Sequence, residues 1–145
     1  MLFDFLSLFI LTTGFIIGLG AVTVIDLHGF LARKSSYWTE ATTKTHKVTK
    51  PMIWIGTVLI LIGSIFTYGL SEIGMIQYGL LIVMILNGLF LSFKVSPYLL
   101  KREKEGLSSR ILPASLQIKI QISFIFSFIC WWGSVLLFVW YNFQK

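Results

Sequence analysis

Four long runs of apolar residues, separated by polar connections, dominate this chain. They cover residues 5–25, 51–70, 73–93 and 120–143, and none has a Lys, Arg, Asp or Glu in its central part. About 20 apolar residues of helix cross the roughly 30 Å hydrocarbon layer of a bilayer. Strands of a membrane barrel would alternate apolar and polar residues, which these runs do not. The pattern predicts an all-α integral membrane four-helix bundle, built as two helical hairpins in a single domain (1–145).

The composition fits a chain that is surrounded by lipid. Hydrophobic residues make up 56% of the 145 residues and charged residues only 12%, about half of the share that is usual in soluble proteins. The first nine residues include an aspartate but no Lys or Arg. They lack the basic region of a cleavable signal peptide, so we expect the first run to remain in the protein as a span.

The distribution of basic residues predicts the orientation of the spans. Five Lys or Arg lie between the first and second runs and six between the third and fourth, whereas the second connection has none. Basic loops tend to stay in the cytoplasm. Residues 31–50 and 94–119 are therefore predicted cytoplasmic loops, with both termini on the other side. Because the net charge of +6 is concentrated in these loops, we expect no nucleic-acid partner.

Small residues predict where the helices approach one another. Gly14 and Gly18 lie one turn apart in the first run, and Gly56 and Gly63 are separated by a heptad in the second. Helices in lipid associate through close packing at such positions. We expect these faces to hold the bundle together, with homodimerisation through Gly14 and Gly18 as the alternative. The expected surroundings are the lipid bilayer, together with a homo-oligomer or a larger membrane complex.

Three polar residues at the spans are candidates for a polar core. Asp26 and Lys94, 68 residues apart, each follow the cytoplasmic end of an odd-numbered span. Charges at this depth are usually paired or functional, so we hypothesise an Asp26–Lys94 ion pair; alternatively, Lys94 extends to the headgroups and Asp26 faces water. Asn87, in the middle of span three, is expected to hydrogen-bond across helices, with a ligand contact as the alternative.

Histidines and tryptophans are the candidates for binding a cofactor. His28 and His46 lie nine residues on either side of Tyr37. If a helical hairpin turns near Tyr37, the two rings reach the same height and could ligate a haem iron or help to hold a metal; surface histidines are the plainer alternative. Trp131 and Trp132 must point in different directions on a helix. We expect one to face lipid or a partner, while the other could form the floor of a flat cofactor site.

Three stretches resemble small prokaryotic membrane proteins of the four-helix protoporphyrinogen oxidase type and the related copper-resistance D group. Residues 20–28 with Arg33-Lys34 resemble the end of their first helix. Residues 45–56 resemble their second-helix entry, and residues 87–91 with Pro97 and Lys101-Arg102 resemble the end of their third. The chain is also similar to small four-helix membrane proteins of no assigned activity that share an ending like Trp131-Trp132-Gly133.

The resemblance implies a multi-pass protein of a prokaryotic cytoplasmic membrane with affinity for haem or another flat apolar ligand. The oxidases use a histidine early in helix one and a lysine early in helix three. Here residues 9–13 contain no histidine, and span three begins with Gln77 and Tyr78. No Cys-x-x-Cys, His-Glu-x-x-His or Gly-rich phosphate loop is present either, so enzymatic activity stays open and no catalytic residue is assigned.

Two classes of function follow from these residues. The first is a redox or cofactor-binding membrane protein that uses the two histidines and one of the paired tryptophans. The second is a non-catalytic membrane subunit or small transporter-like protein whose polar core is formed by Asp26, Lys94 and Asn87.

Overall fold

The computed structural model describes residues 1–144, and over that range it contains helices joined by short connections and no strand. The helices in that range are α1 (Leu2–Leu31), α2 (Ser36–Tyr68), α3 (Glu72–Lys104) and α4 (Ala114–Phe143). Each of the four is long and apolar enough to span a membrane. The predicted set of four apolar helices in an all-α chain is confirmed.

The helices pack in a ring in which each contacts the next along the chain, and α4 returns to contact α1. α1 and α3 therefore lie diagonally across the bundle. A short turn at residues 69–71 joins α2 to α3 at one end. The α1–α2 and α3–α4 connections lie at the other end, which we call the basic end because Arg33 and Lys34 lie in the first and Arg110 in the second.

Residues 31–50, predicted as a connection, are largely helical, and several of their hydroxyl groups bond to the helix backbone. The side chain of Ser35 caps α2 by accepting a hydrogen bond from the Trp38 N–H at 3.4 Å. Thr42 and Thr49 donate to the carbonyl oxygens four residues earlier. A Ser/Thr-rich segment can leave the helix when its hydroxyls compete for the backbone. Here the hydroxyls are satisfied inside the helix, which begins at Ser36.

Glycines bring α1 and α2 almost into backbone contact. A Cβ atom added to Gly63 would lie 2.7 Å from Leu11, and one added to Gly14 would lie 2.8 Å from Ile60. Gly18 packs on the Trp131 ring and on the Cα atom of Gly56. Because Gly14 and Gly18 are buried inside the chain, they do not form an exposed surface for a second copy.

The outer surface of the bundle is strongly apolar. Ile16 is 70% exposed and Leu136 is 68% exposed, whereas Leu11, Ile60 and Leu81 in the core are almost fully buried. Large hydrophobic side chains stand exposed on all four helices. Soluble monomers rarely expose contiguous apolar patches larger than a few hundred Å². Together with the length of the helices, this surface indicates a membrane protein.

A π-helical turn interrupts α3 at Leu91–Val95. The Ser96 N–H donates to the carbonyl of Leu91, five residues earlier, instead of to the residue four earlier. Pro97 follows directly, and it has no N–H to donate to the previous turn. Local widening of a helix is a known response to such a missing bond, and π-turns recur at functional sites. The turn lies in the half of α3 nearest the basic end.

We expect Gly18→Leu to lower the free energy of unfolding by about 1–3 kcal/mol, because a side chain there would collide with Trp131 and separate α1 from α2. Denaturation by dodecyl sulfate in mixed micelles, followed by circular dichroism, measures the effect. Gly20→Leu is the matched control, since a Cβ atom at Gly20 meets nothing within 4 Å. Equal losses in the two variants would contradict the packing described here.

Candidate functional site

A cavity of about 100 Å³ lies between the four helices near the basic end. We call it the central cavity. Every helix contributes to its walls, which are mostly apolar and include the rings of Trp54 and Phe124. Three ionisable side chains also line it: Asp26 from α1, with His46 and Lys50 from α2. An acid, a base and a cation therefore share one small space inside an apolar bundle.

The π-turn of α3 and a glycine shape one wall of the central cavity. Leu91, Ser92 and Val95 from the π-turn line the space. The indole Nε1–H of Trp54 donates to the hydroxyl oxygen of Ser92 at 3.2 Å. The Trp54 ring packs against Gly88, where an added Cβ atom would lie 3.2 Å from the ring. A larger residue at Gly88 would push the indole into the cavity.

The ionisable groups of the cavity are incompletely paired. Lys50 Nζ donates to the Ser96 hydroxyl at 3.4 Å. Nε2 of His46 is buried and has no hydrogen-bond partner among residues 1–144, and the side chain of Asp26 takes part in none of the ion pairs of that range. Buried polar groups in proteins nearly always find a partner. The space can hold several waters, since one needs only about 10–15 Å³ by a comparable measure.

The predicted Asp26–Lys94 ion pair does not form. Four ion pairs join residues in the described part of the chain, and they involve the N-terminus with Asp4, Glu40 with Lys44, Glu103 with Lys47, and Glu105 with Lys101. Lys94 is exposed, while Asp26 lines the central cavity. The physical reason is the rotation of α3 about its axis: Ser92 and Val95 line the cavity that Asp26 lines, whereas Lys94 lies on the exposed side of the helix.

The two histidines do not face each other. The hairpin turns at residues 32–35, earlier than the predicted turn at Tyr37. His46 therefore lies about two helical turns, or roughly 10 Å, farther from the turn than His28. The His28 ring packs on Trp38 with ring centroids 5.1 Å apart, whereas His46 lines the central cavity. A pair of axial ligands at one height is not found.

Trp131 and Trp132 point in different directions, and Trp131 is buried while Trp132 is partly exposed. Trp131 is 2% exposed and Trp132 is 44% exposed. Both also line a second space of about 260 Å³ between α1 and α4, which we call the α1–α4 groove. Asp26, Phe30 and Phe124 line this groove as well as the central cavity. The paired tryptophans thus adjoin Asp26, and neither histidine lines the groove.

Asn87 connects α3 to α4 just beyond the cavity. Its Nδ2 donates to the Ser123 carbonyl at 3.1 Å, and the Ser123 hydroxyl donates to its Oδ1 at 2.7 Å. Ser123 lines the central cavity. The sequence singled out Asn87 but not Ser123, because nothing in a single chain indicates which residue of another span faces a given amide.

Sequence reasoning also missed Lys50, Ser92 and Gln121 as cavity residues. The one sequence feature that could have pointed to Lys50 was the pair Lys50-Pro51, which places a charge where an apolar run begins.

The residues described contain no cluster of three or more His, Cys, Asp or Glu that could hold a metal ion. No protein-family model, curated protein or solved structure matches the chain.

We expect Asn87→Ala to lower the free energy of unfolding by about 1–2 kcal/mol, because it removes two hydrogen bonds between α3 and α4 inside the bundle. The same denaturation experiment measures the loss. Asn142→Ala is the control, since Asn142 is exposed and bonds only to the Phe138 carbonyl in its own helix. A larger loss in the Asn142 variant would argue against the Asn87–Ser123 connection.

Proposed function

We propose that this is a non-catalytic, small transporter-like membrane protein that binds a small molecule in the central cavity. The observation that carries the proposal is the presence of Asp26, His46 and Lys50 in one cavity lined by all four helices. Ionisable residues inside a membrane bundle usually mark a path or a binding site. Within residues 1–144 the Asp26 side chain forms no ion pair, and Nε2 of His46 has no hydrogen-bond partner. Both facts support a site that a solute completes.

The size of the cavity limits what it can bind. A 150 Å³ cavity engineered in another protein accommodates benzene, and the central cavity measures about 100 Å³. The cavity is large enough for a lipid headgroup or for part of a molecule no larger than one aromatic ring. A tetrapyrrole would require the helices to move apart, and only one histidine reaches the cavity. These facts favour the transporter-like class over a haem protein.

The proposal includes an orientation in which the basic end faces the cytoplasm. Lys101, Lys104 and Arg110 are exposed at that end, and the connection at the opposite end has no Lys or Arg. Basic loops next to spans stay in the cytoplasm. The central cavity, near the basic end, would then exchange its solute with the cytoplasmic side.

Polar groups beyond the cavity support a path toward the opposite end. Gln77 and Ser134 are fully buried about three helical turns from the Asn87–Ser123 connection, and Ser64 is fully buried on α2. All three have side-chain atoms without a partner in the described range. The packed side chains of Ile60, Leu81 and Trp131 belong to the core of the bundle. An apolar core with polar groups on both sides is what a closed transporter requires.

We expect a thiol at position 121 to react with charged reagents from the basic side of the membrane. Gln121→Cys would be made in a Cys130→Ala background, because Cys130 is the only native thiol. Methanethiosulfonates that carry a trimethylammonium group would be added to vesicles of either orientation. Gln121 lines the cavity, where water allows the thiolate to form.

Ile122→Cys is the matched control for this experiment. Ile122 is the next residue of α4, and it is 50% exposed on the outer surface of the bundle. Lipid there should keep the thiol protonated and unreactive. If Gln121→Cys reacts no faster than Ile122→Cys from either side, the cavity is not open to water and the proposed function fails.

A further inference from the structure

Among residues 1–144, Asp26 is the one ionisable side chain that lines the α1–α4 groove, and it lies among aromatic residues. Five aromatic residues line the groove: Phe30, Phe124, Phe128, Trp131 and Trp132. The faces of such rings carry partial negative charge and attract cations, most strongly where water is excluded. Aromatic walls beside one carboxyl group are a combination that suits a positively charged ligand.

Two cations near the groove, Lys50 and Arg33, have partners other than Asp26. Lys50 donates to Ser96, and Arg33 donates through Nε to the carbonyl of Phe30 at 3.0 Å. The Arg33 guanidinium lies 3.8 Å from the centroid of the Phe30 ring. A ring of the groove thus already contacts a cation, while none of the cations in residues 1–144 forms an ion pair with Asp26.

The groove is also accessible from the outer surface of the bundle. Leu27 is 55% exposed, Phe128 is 52% exposed and Trp132 is 44% exposed. α1 and α4 therefore leave an opening toward the surrounding apolar medium, beside residues that also line the central cavity. The groove measures about 260 Å³, more than the roughly 150 Å³ that accommodates benzene in another protein.

We infer that the α1–α4 groove binds a small hydrophobic cation, of the quaternary or protonated amine class, with its charge beside Asp26 and its apolar part against the aromatic rings. This inference rests on the proposed function, because it names the class of molecule that binds beside Asp26, a residue that the central cavity and the groove share. The cation enters from the lipid side. The rings select against a hydrated inorganic ion, and the carboxylate selects against an anion of equal size.

The test compares two probes of similar size and opposite charge, benzyltrimethylammonium and benzenesulfonate. Full-length protein in phosphatidylcholine nanodiscs is titrated with each by calorimetry at mildly alkaline pH, and empty nanodiscs give the background. Benzyltrimethylammonium should bind the wild-type protein, and benzenesulfonate should not. Asp26→Asn, which keeps the shape of the side chain, should weaken binding of the cation at least about tenfold.

Two matched controls separate the groove from general effects. Phe128→Leu removes a ring of the groove and should weaken binding about two- to fivefold, whereas Phe126→Leu changes an equally exposed ring, also 52%, that does not line the groove. Glu72→Gln removes an exposed carboxylate at the opposite end. Phe126→Leu and Glu72→Gln should both leave the affinity unchanged.

Each other outcome overturns the inference. It fails if neither probe binds, if both bind equally, or if Asp26→Asn retains the affinity of the wild-type protein. The proposed function is judged separately by the reactivity of Gln121→Cys. A reactive thiol there, together with binding of benzenesulfonate alone, would keep the small-molecule site and reject the cationic ligand.

Discussion

Hydrocarbon cannot solvate a polar group, and this constraint decides the interior of the bundle. The backbone amides of the spans form hydrogen bonds within helices. The hydroxyls of Thr42 and Thr49 in α2 donate to backbone carbonyls of the same helix. Asn87 and Ser123 satisfy each other across α3 and α4. Asp26 forms no ion pair within residues 1–144, and Nε2 of His46 is buried there without a hydrogen-bond partner. Both residues line the central cavity, where in our proposal a solute completes their hydrogen bonding.

The cavity exists because some neighbouring helices of the bundle pack closer together than others. Glycines let α1 and α2 approach to backbone contact, as at Gly14 and Gly56. The α1–α4 pair has no such contact near Asp26, and the π-turn at Leu91–Val95 widens α3 at the same level. Tight packing on one side thus fixes the position of α1, while looser packing on the other leaves room beside its carboxyl group.

The sequence predicted the features that depend on one helix at a time. The length of each apolar run gave the four helices, and the spacing of Gly14 and Gly18 marked a face that packs closely. Features that depend on how two helices pack together could not be predicted from the sequence. Ser35 caps α2, so the hairpin turns before Tyr37 and His28 does not lie opposite His46. Likewise, no local pattern encodes the rotation of α3 about its axis, which leaves Lys94 exposed while Asp26 lines the cavity.

A structure of the protein determined in a lipidic mesophase, at a resolution that shows ordered water, tests the central claim most directly. The account predicts non-protein density in the central cavity, within hydrogen-bonding distance of the Asp26 carboxyl group and of Nε2 of His46. A cavity filled by collapsed side chains, with Asp26 paired to Lys94, would contradict it.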